Sequence, residues 1–264
     1  MKSQRFGGWE SLIFEKPGRK QGRNCARRED VAIFAIGDLH LPGGDMKPMD
    51  VFGAHWENHF ERIASDWRER VKDEDIVLIP GDISWAMQLQ PALEDLKRIA
   101  QLPGRILILR GNHDYWWSSL TQLRSNLPQN MFAVQNDAFD GGDVVFCGTR
   151  GWAIPGSSNT TAQDEKIYRR EAMRLEMSLK EAQRLAQGRP IVAMMHYPPL
   201  LPENAKTGTA FTALLSEYGA ARCVYGHLHG PSVQRGYVGM YEGVRYDLVS
   251  CDALGFSLKD VSIE

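Results

Sequence analysis

The chain has 264 residues, 43% of them hydrophobic, which is enough to bury a full core as one large or two small domains. Its formal net charge of −2 excludes the strong basic excess of an indiscriminate nucleic-acid binder, but not a phosphorylated substrate met by bound cations. No stretch approaches the ~20 apolar residues of a membrane span, and Ser11-Leu12-Ile13-Phe14 is too short for a signal-peptide core, so the expected compartment is the cytoplasm.

Residues 1–30 are rich in Gly, Lys and Arg, lack periodicity, and read as a loose N-terminal extension. The abrupt strand pattern at Val31 raises the hypothesis that translation starts there; Met1 at the N-terminus of the natural protein would refute it. From Val31 onward, apolar runs alternate with amphipathic helical patterns. The runs are 31–36, 76–79, 106–109, 144–147, 191–195, 222–225 and 246–250. Most are continuous and β-branched, as strands buried on both faces are. Phe52, Trp56, His59, Phe60, Ile63 and Trp67 recur at helical spacing, as do Leu93, Leu96 and Ile99 after Pro91. A long helix is predicted around 164–187, stopped by Gly188. Asp140-Gly141-Gly142-Asp143 and Glu242-Gly243 read as hairpin turns. The expected fold is therefore α/β, with two packed mixed β-sheets flanked by helices in a single domain over residues 31–264. Cys25, Cys147, Cys223 and Cys251 are scattered and form no C-x-x-C pair, as suits reduced thiols; Cys147 and Cys223 read as core.

Five runs end in clusters of metal-capable residues: Gly37-Asp38-Leu39-His40, Pro80-Gly81-Asp82, Arg110-Gly111-Asn112-His113-Asp114, His196-Tyr197-Pro198-Pro199 and Gly226-His227-Leu228-His229. Ligands of open α/β sheets bind beyond the carboxyl ends of the strands, so these loops should converge on one cleft. In Asp38-x-His40 and His227-x-His229, alternate residues of an extended segment would face the site together. Carboxylate, imidazole and one amide oxygen, without thiolate, suit manganese, iron, zinc, cobalt or nickel better than calcium. Any one cluster alone would read as a turn or a helix cap. Five of the seven His residues falling in such clusters is what points to a site.

In family order, Asp38-x-His40, Gly81-Asp82, Gly111-Asn112-His113-Asp114, His196 and Gly226-His227-x-His229 resemble the motifs of the calcineurin-like metallophosphoesterases, over roughly residues 31–251. The resemblance implies the four-layer α-β-β-α sandwich and two divalent metal ions. One ion would take Asp38, His40, Asp82 and His229, and the other Asp82, Asn112, His196 and His227, with a bridging hydroxide as nucleophile. His113 matches the family's histidine at the phosphoryl or leaving group, and Asp114 the acid that orients it. Many members carry a second Asp three positions after the one matching Asp82; here that position is Trp85. The expected activity is dinuclear metal-dependent hydrolysis of a small phosphate ester, with monoester against diester left open. A nuclease of the same fold and a non-catalytic metal-dependent scaffold stand as alternatives.

Around the cleft, Arg150 could fork onto a phosphate or form a surface ion pair. Trp116 and Trp117 could wall the pocket, stack on a base, or pack in the interior. Arg110 could lie just behind the ligands or be exposed, and Lys47 could reach substrate. His55 and His59 do not form the His-Glu-x-x-His zinc pattern and read as packing. Arg169-Arg170 reads as a solvated helix face. The sequence assigns no oligomeric state.

Overall fold

The computed structural model describes residues 31–44, 49–156 and 160–263. The expected extension over 1–30, with Cys25, and the loop position Lys47 lie outside the described residues. In chain order the elements are β1 (Ile33–Ala35), α1 (His59–Arg70), β2 (Ile76–Ile79), α2 (Leu89–Ile99), β3 (Arg105–Ile108), α3 (Leu120–Arg124), β4 (Met131–Ala133), β5 (Ala138–Asp140) and β6 (Val145–Thr149). They continue with α4 (Ala162–Ala186), β7 (Ile191–Met195), α5 (Ala210–Glu217), β8 (Ala220–Tyr225), β9 (Gly239–Tyr241), β10 (Val244–Leu248) and β11 (Lys259–Asp260).

The strands form two sheets, ordered β11-β1-β2-β3-β4 and β5-β6-β7-β8-β10-β9. In the first, β1 to β4 run parallel, as the βαβαβ reading requires, and β11 is antiparallel. In the second, β6, β7, β8 and β10 are parallel, with β5 and β9 as antiparallel edges. Both predicted hairpins are present. Asp140 pairs with Val145, and Tyr241 pairs with Val244 across Glu242 and Gly243, both at positive φ as a tight two-residue turn demands.

Continuous apolar runs mean that each sheet is covered on both faces. Ile33, Ala35, Leu78 and Leu107 of one sheet meet Val192, Met194 and Val224 of the other in a core between the sheets. The outer face of the first sheet carries Phe60, Ile63 and Trp67 of α1 and Leu93 and Leu96 of α2. Leu175, Leu179 and Ala182 of α4 and Phe211 and Leu215 of α5 cover the second. The result is helix, sheet, sheet, helix, as expected. Cys147, Cys223 and Cys251 are buried free thiols. Among the described residues no helix is long and apolar enough to cross a membrane.

Two local readings need correction. The helical pattern from Phe52 does not hold as one helix. Two short 3-10 turns (Met49–Phe52 and Ala54–Trp56) precede α1, because Gly53 and Asn58 adopt positive φ and break the helical path. Phe52 is consequently 64% exposed. The strands β4 and β11 and the helices α3 and α5 were not foreseen. Met131-Phe132-Ala133 and Lys259-Asp260 are too short for periodicity to register.

Candidate metal centre

The five loops meet at the carboxyl ends of β1, β2, β3, β7 and β8. The loop after β1 lies along the loop after β2: Asp38 N–H donates to the Gly81 carbonyl at 3.0 Å, and His40 N–H to the Asp82 carbonyl at 2.9 Å. Four of the predicted ligands have left-handed backbone, with φ of 59° at Asp38, 46° at His40, 51° at Asp82 and 74° at His227. The motifs are therefore not extended segments with alternate residues facing one way. Tight left-handed turns aim each side chain separately, and His227 and His229 face different clusters. Such backbone costs of order 1–3 kcal/mol per residue and persists where the surroundings over-determine it.

The ligand-type atoms fall into two groups, Asp38/His40/His229 and Asp82/His196/His227, each with its atoms within 4.8 Å of one another. In the first, His40 Nε2 lies 3.3 Å from His229 Nε2, and Asp38 Oδ1 lies 3.6 Å from His229 Nε2. In the second, the Asn112 side-chain oxygen approaches His196 Nε2 at 2.6 Å and His227 Nδ1 at 2.9 Å. Asp82 joins the groups, its Oδ2 lying 3.4 Å from His196 Nε2 and 3.9 Å from His40 Nε2. The second Asp82 oxygen accepts from the His113 backbone N–H at 2.8 Å.

These groups fit divalent cations. His196 Nδ1 meets the Pro80 carbonyl at 3.0 Å, and His229 Nδ1 meets Asp252 Oδ1 at 2.9 Å. A ring N–H directed at each acceptor leaves Nε2 free to face its group. The glycines leave the room: a Cβ on Gly111 would fall 2.1 Å from Asp82 Oδ1, and one on Gly226 2.3 Å from Asp38 Oδ2. The electrostatics ask for positive charge. Burial alone would raise the Asp38 and Asp82 carboxyls, yet His229 beside the first and His196 beside the second hold both below the usual carboxylate range. Burial likewise opposes charge on His196 and His229. Asp82 nevertheless lifts His196 to about 8, and Asp252 with Asp38 lifts His229 to about 10. His40 and His227 are pushed down to about 4, chiefly by burial.

Asp114 does not hydrogen-bond the His113 ring. Fully buried, it accepts from the backbone N–H groups of Asp82, Ile83, Ser84 and Gly111 and from the Trp116 indole, at 2.7–3.2 Å. Burial and the Asp82 charge push its carboxyl up to about 6, while the donors at Gly111, Ile83 and Ser84 pull it down, so it is anionic at neutral pH. Trp116 is 1% exposed beneath this carboxylate and offers no face to a ligand; Trp117 is buried too, its Nε1 on Gln135. Both are core. The aromatic wall of the site is Trp85, stacked on His40 at 4.7 Å between centroids and 4.5 Å from His113. With Phe52, Trp56 and Pro231 it lines a cavity of about 350 Å³ that also touches His113 and His229. Arg150 is only 19% exposed, 3.8 Å from Glu171 and over the Trp152 ring. His59 packs against the Leu39 and Trp56 carbonyls. Sequence reasoning missed Asp252 and Tyr197, whose ring lies 4.1 Å from that of His227. Asp252 stands just beyond the run ending at Ser250, the placement that exposed the other acids.

Comparison with curated proteins gives no match. Among solved structures, the phosphopantetheinyl hydrolase PptH of Mycobacterium tuberculosis superposes with a TM-score of 0.53 at 17% identity, over 88% of this chain and 96% of that one. TT1561 of Thermus thermophilus gives 0.54 at 13% identity, over 89% and 99%. At such identities the likeness concerns the fold alone. The sequence pattern of the calcineurin-like phosphoesterases matches residues 31–231, most of the chain and nearly all of the cleft. With two ligand groups built for two divalent cations, the chain belongs to the calcineurin-like phosphoesterase family and is a metal-dependent phosphoric ester hydrolase.

Proposed function

We propose that the chain hydrolyses a small phosphate ester at a dinuclear centre. Asp38, His40, Asp82 and His229 hold one cation, and Asp82, Asn112, His196 and His227 hold the other. The reading is carried by one observation: a single Asp82 oxygen faces both His40 and His196, so one carboxylate serves both groups. Bound there, two divalent cations supply Lewis acidity to the phosphoryl oxygens and to the attacking water.

The chain's own residues do the rest. Asp252 and the Pro80 carbonyl orient His229 and His196. Asp114 gathers the backbone around Asp82 and Gly111, fixing the shared carboxylate. Both Asp38 oxygens accept from the His227 backbone N–H, which ties the first motif to the last. His113, presented into the cleft beside Trp85, delivers a ring proton to the leaving oxygen. The cavity bounded by Trp85, Trp56 and Phe52 receives the organic part of the ester and excludes water from that side. Arg150, whose backbone carbonyl accepts from the His196 N–H at 3.1 Å, steadies the loop that presents His196.

The test compares wild type, Asp82→Asn and His113→Ala on aryl phosphate monoesters and diesters, each with its metal content measured. Asp82→Asn should lose both metal and turnover. His113→Ala should keep two cations per chain and lose at least about tenfold in kcat. Wild-type turnover in fully loaded His113→Ala would remove the acid role, and metal-independent turnover in Asp82→Asn would sink the whole reading.

A further inference from the structure

Beside the metal groups, on the same rim of the fold, lies a cavity of about 270 Å³ between the ends of β3, β4 and β6 and one face of α4. Four arginines line it: Arg110, Arg150, Arg170 and Arg174. The one acidic residue of the lining, Glu171, is 1% exposed and already committed. Its Oε1 takes Arg174 at 2.6 Å, and its Oε2 takes the Thr149 hydroxyl at 2.7 Å. Arg150 reaches that carboxylate only at 3.8 Å. Among the described residues, Arg110 and Arg170 have no ion-pair partner, and the Arg110 Nε is buried without a hydrogen-bond acceptor.

Four guanidiniums against one carboxylate leave a local excess of three positive charges. Exposed arginines carry such excess easily, because water screens them. Arg110, Arg150 and Arg174, half-buried around one cavity, do so less easily, and a buried unpaired donor on a charged group costs more still. An anion in the cavity would answer all of this at once. It would accept from the Arg110 Nε, separate Arg110 from Arg150, and add planar fork contacts of the kind guanidinium makes to phosphate.

We propose that this cavity is a second anion site, which takes a phosphate-like oxyanion in addition to the phosphoryl group bound at the metal centre. Its position couples it to the chemistry. Arg110 is two residues from Asn112, a Cα separation of at most about 7.6 Å. The Arg150 carbonyl accepts from the His196 and Tyr197 backbone N–H groups at 3.1 and 2.9 Å. Beyond Arg150 an aromatic chain runs back to the cleft, with Trp152 and Tyr197 5.2 Å apart and Tyr197 and His227 4.1 Å apart. The anion has two possible sources, a second anionic group on the substrate or free phosphate. The first rests on the hydrolase reading above; the second does not.

The test is a calorimetric titration of inorganic phosphate into the full-length protein, metal-loaded for wild type, Arg110→Gln and Arg170→Gln, and in the same metal buffer for Asp82→Asn, which does not retain its cations. Wild type should show two classes of site. Asp82→Asn should lose one of them, and Arg110→Gln should weaken the other at least about tenfold, the scale of a hydrogen bond to a charged group. Arg170→Gln, on an exposed helix position, should weaken it several-fold without disturbing the fold, and so stands in if Arg110→Gln does not fold. A single class of site that Asp82→Asn abolishes entirely would overturn the proposal, as would two classes that neither arginine variant weakens. Kinetics then separate the sources. If Arg110→Gln raises KM for a bisphosphate but not for a monophosphate ester, the anion is part of the substrate. If it removes only the effect of added phosphate on turnover, the anion is free. Absence of a second phosphate site from a wild type that hydrolyses esters metal-dependently would count against this cavity alone.

Discussion

Replacing Gly111 with alanine tests whether the Asp82 carboxylate must sit where it does. The new Cβ would lie 2.1 Å from Asp82 Oδ1 and 2.2 Å from Asp82 N, whereas real Cβ contacts essentially never fall below 3.0 Å. The Asp82 loop must therefore move by about 1 Å relative to the Gly111 loop. It cannot slide away freely, because Gly111 N–H and Asp82 N–H share one Asp114 oxygen at 2.7 and 2.9 Å. Overpacking of this kind costs about 1–3 kcal/mol, a fall in melting temperature on the order of 5 °C for a domain this large. A misplacement of about 1 Å in a reacting geometry costs roughly a hundredfold in rate. Gly111→Ala should thus stay folded at 25 °C, bind fewer than two cations per chain, and lose about two orders of magnitude in kcat/KM on an aryl phosphate. Elemental analysis and steady-state kinetics on the same preparation check both. Two tightly bound cations and wild-type kcat/KM would show that the shared carboxylate tolerates displacement, and the reasoning from close approach would fail.

Asp114→Asn should destabilise the protein by at least about 3 kcal/mol in a denaturant melt, since one acceptor oxygen becomes a donor facing buried N–H groups at about 1–3 kcal/mol each; an unchanged midpoint would deny the hub role. Asp252→Ala should lower affinity for one of the two cations by about 10–100-fold, the usual cost of removing a ligand's orienting partner, as read by chelator competition; equal loss at both sites, or none, would place Asp252 outside the site. Metal binding should also release protons at pH 7. In the metal-free chain, Asp82 lifts His196 to about 8 and Asp252 lifts His229 to about 10, each against burial, so both rings carry protons that ligation must displace. His40 and His227, near 4, are already neutral. Calorimetry in buffers of different ionisation enthalpy should report about two protons released per chain, with apparent affinity rising as the pH climbs toward 8. Release near zero at pH 7 would contradict the charge assignment.

The fold was legible where burial is two-sided. The runs at Ile76–Ile79 and Ile191–Met195 appear with their bounds unchanged, because four or five consecutive apolar residues have little else to be. The edges were not legible. Lys259-Asp260 carries no apolar signal and pairs with β1 through backbone alone. The site was legible as composition at strand ends, which found the Asp, His and Asn residues that the structure brings together. Orientation within tight turns was not. Asp114 and Trp116 lie within three positions of His113, yet the turn drives both inward, where one organises backbone and the other packs against it. Trp85, noticed as a departure from the family pattern, was opaque in the sequence because its role is a stack on His40, which lies forty-five positions away.

A descendant of this chain released from catalysis would gain robustness by giving up Asp38, His40, Asp82 and His227. Glycine at any of the four would relax a backbone conformation that disfavours side chains by about 1 kcal/mol or more. Selection for turnover and selection for a durable protein thus oppose each other at the same four positions, so long-lived inactive lineages should accumulate glycine there first.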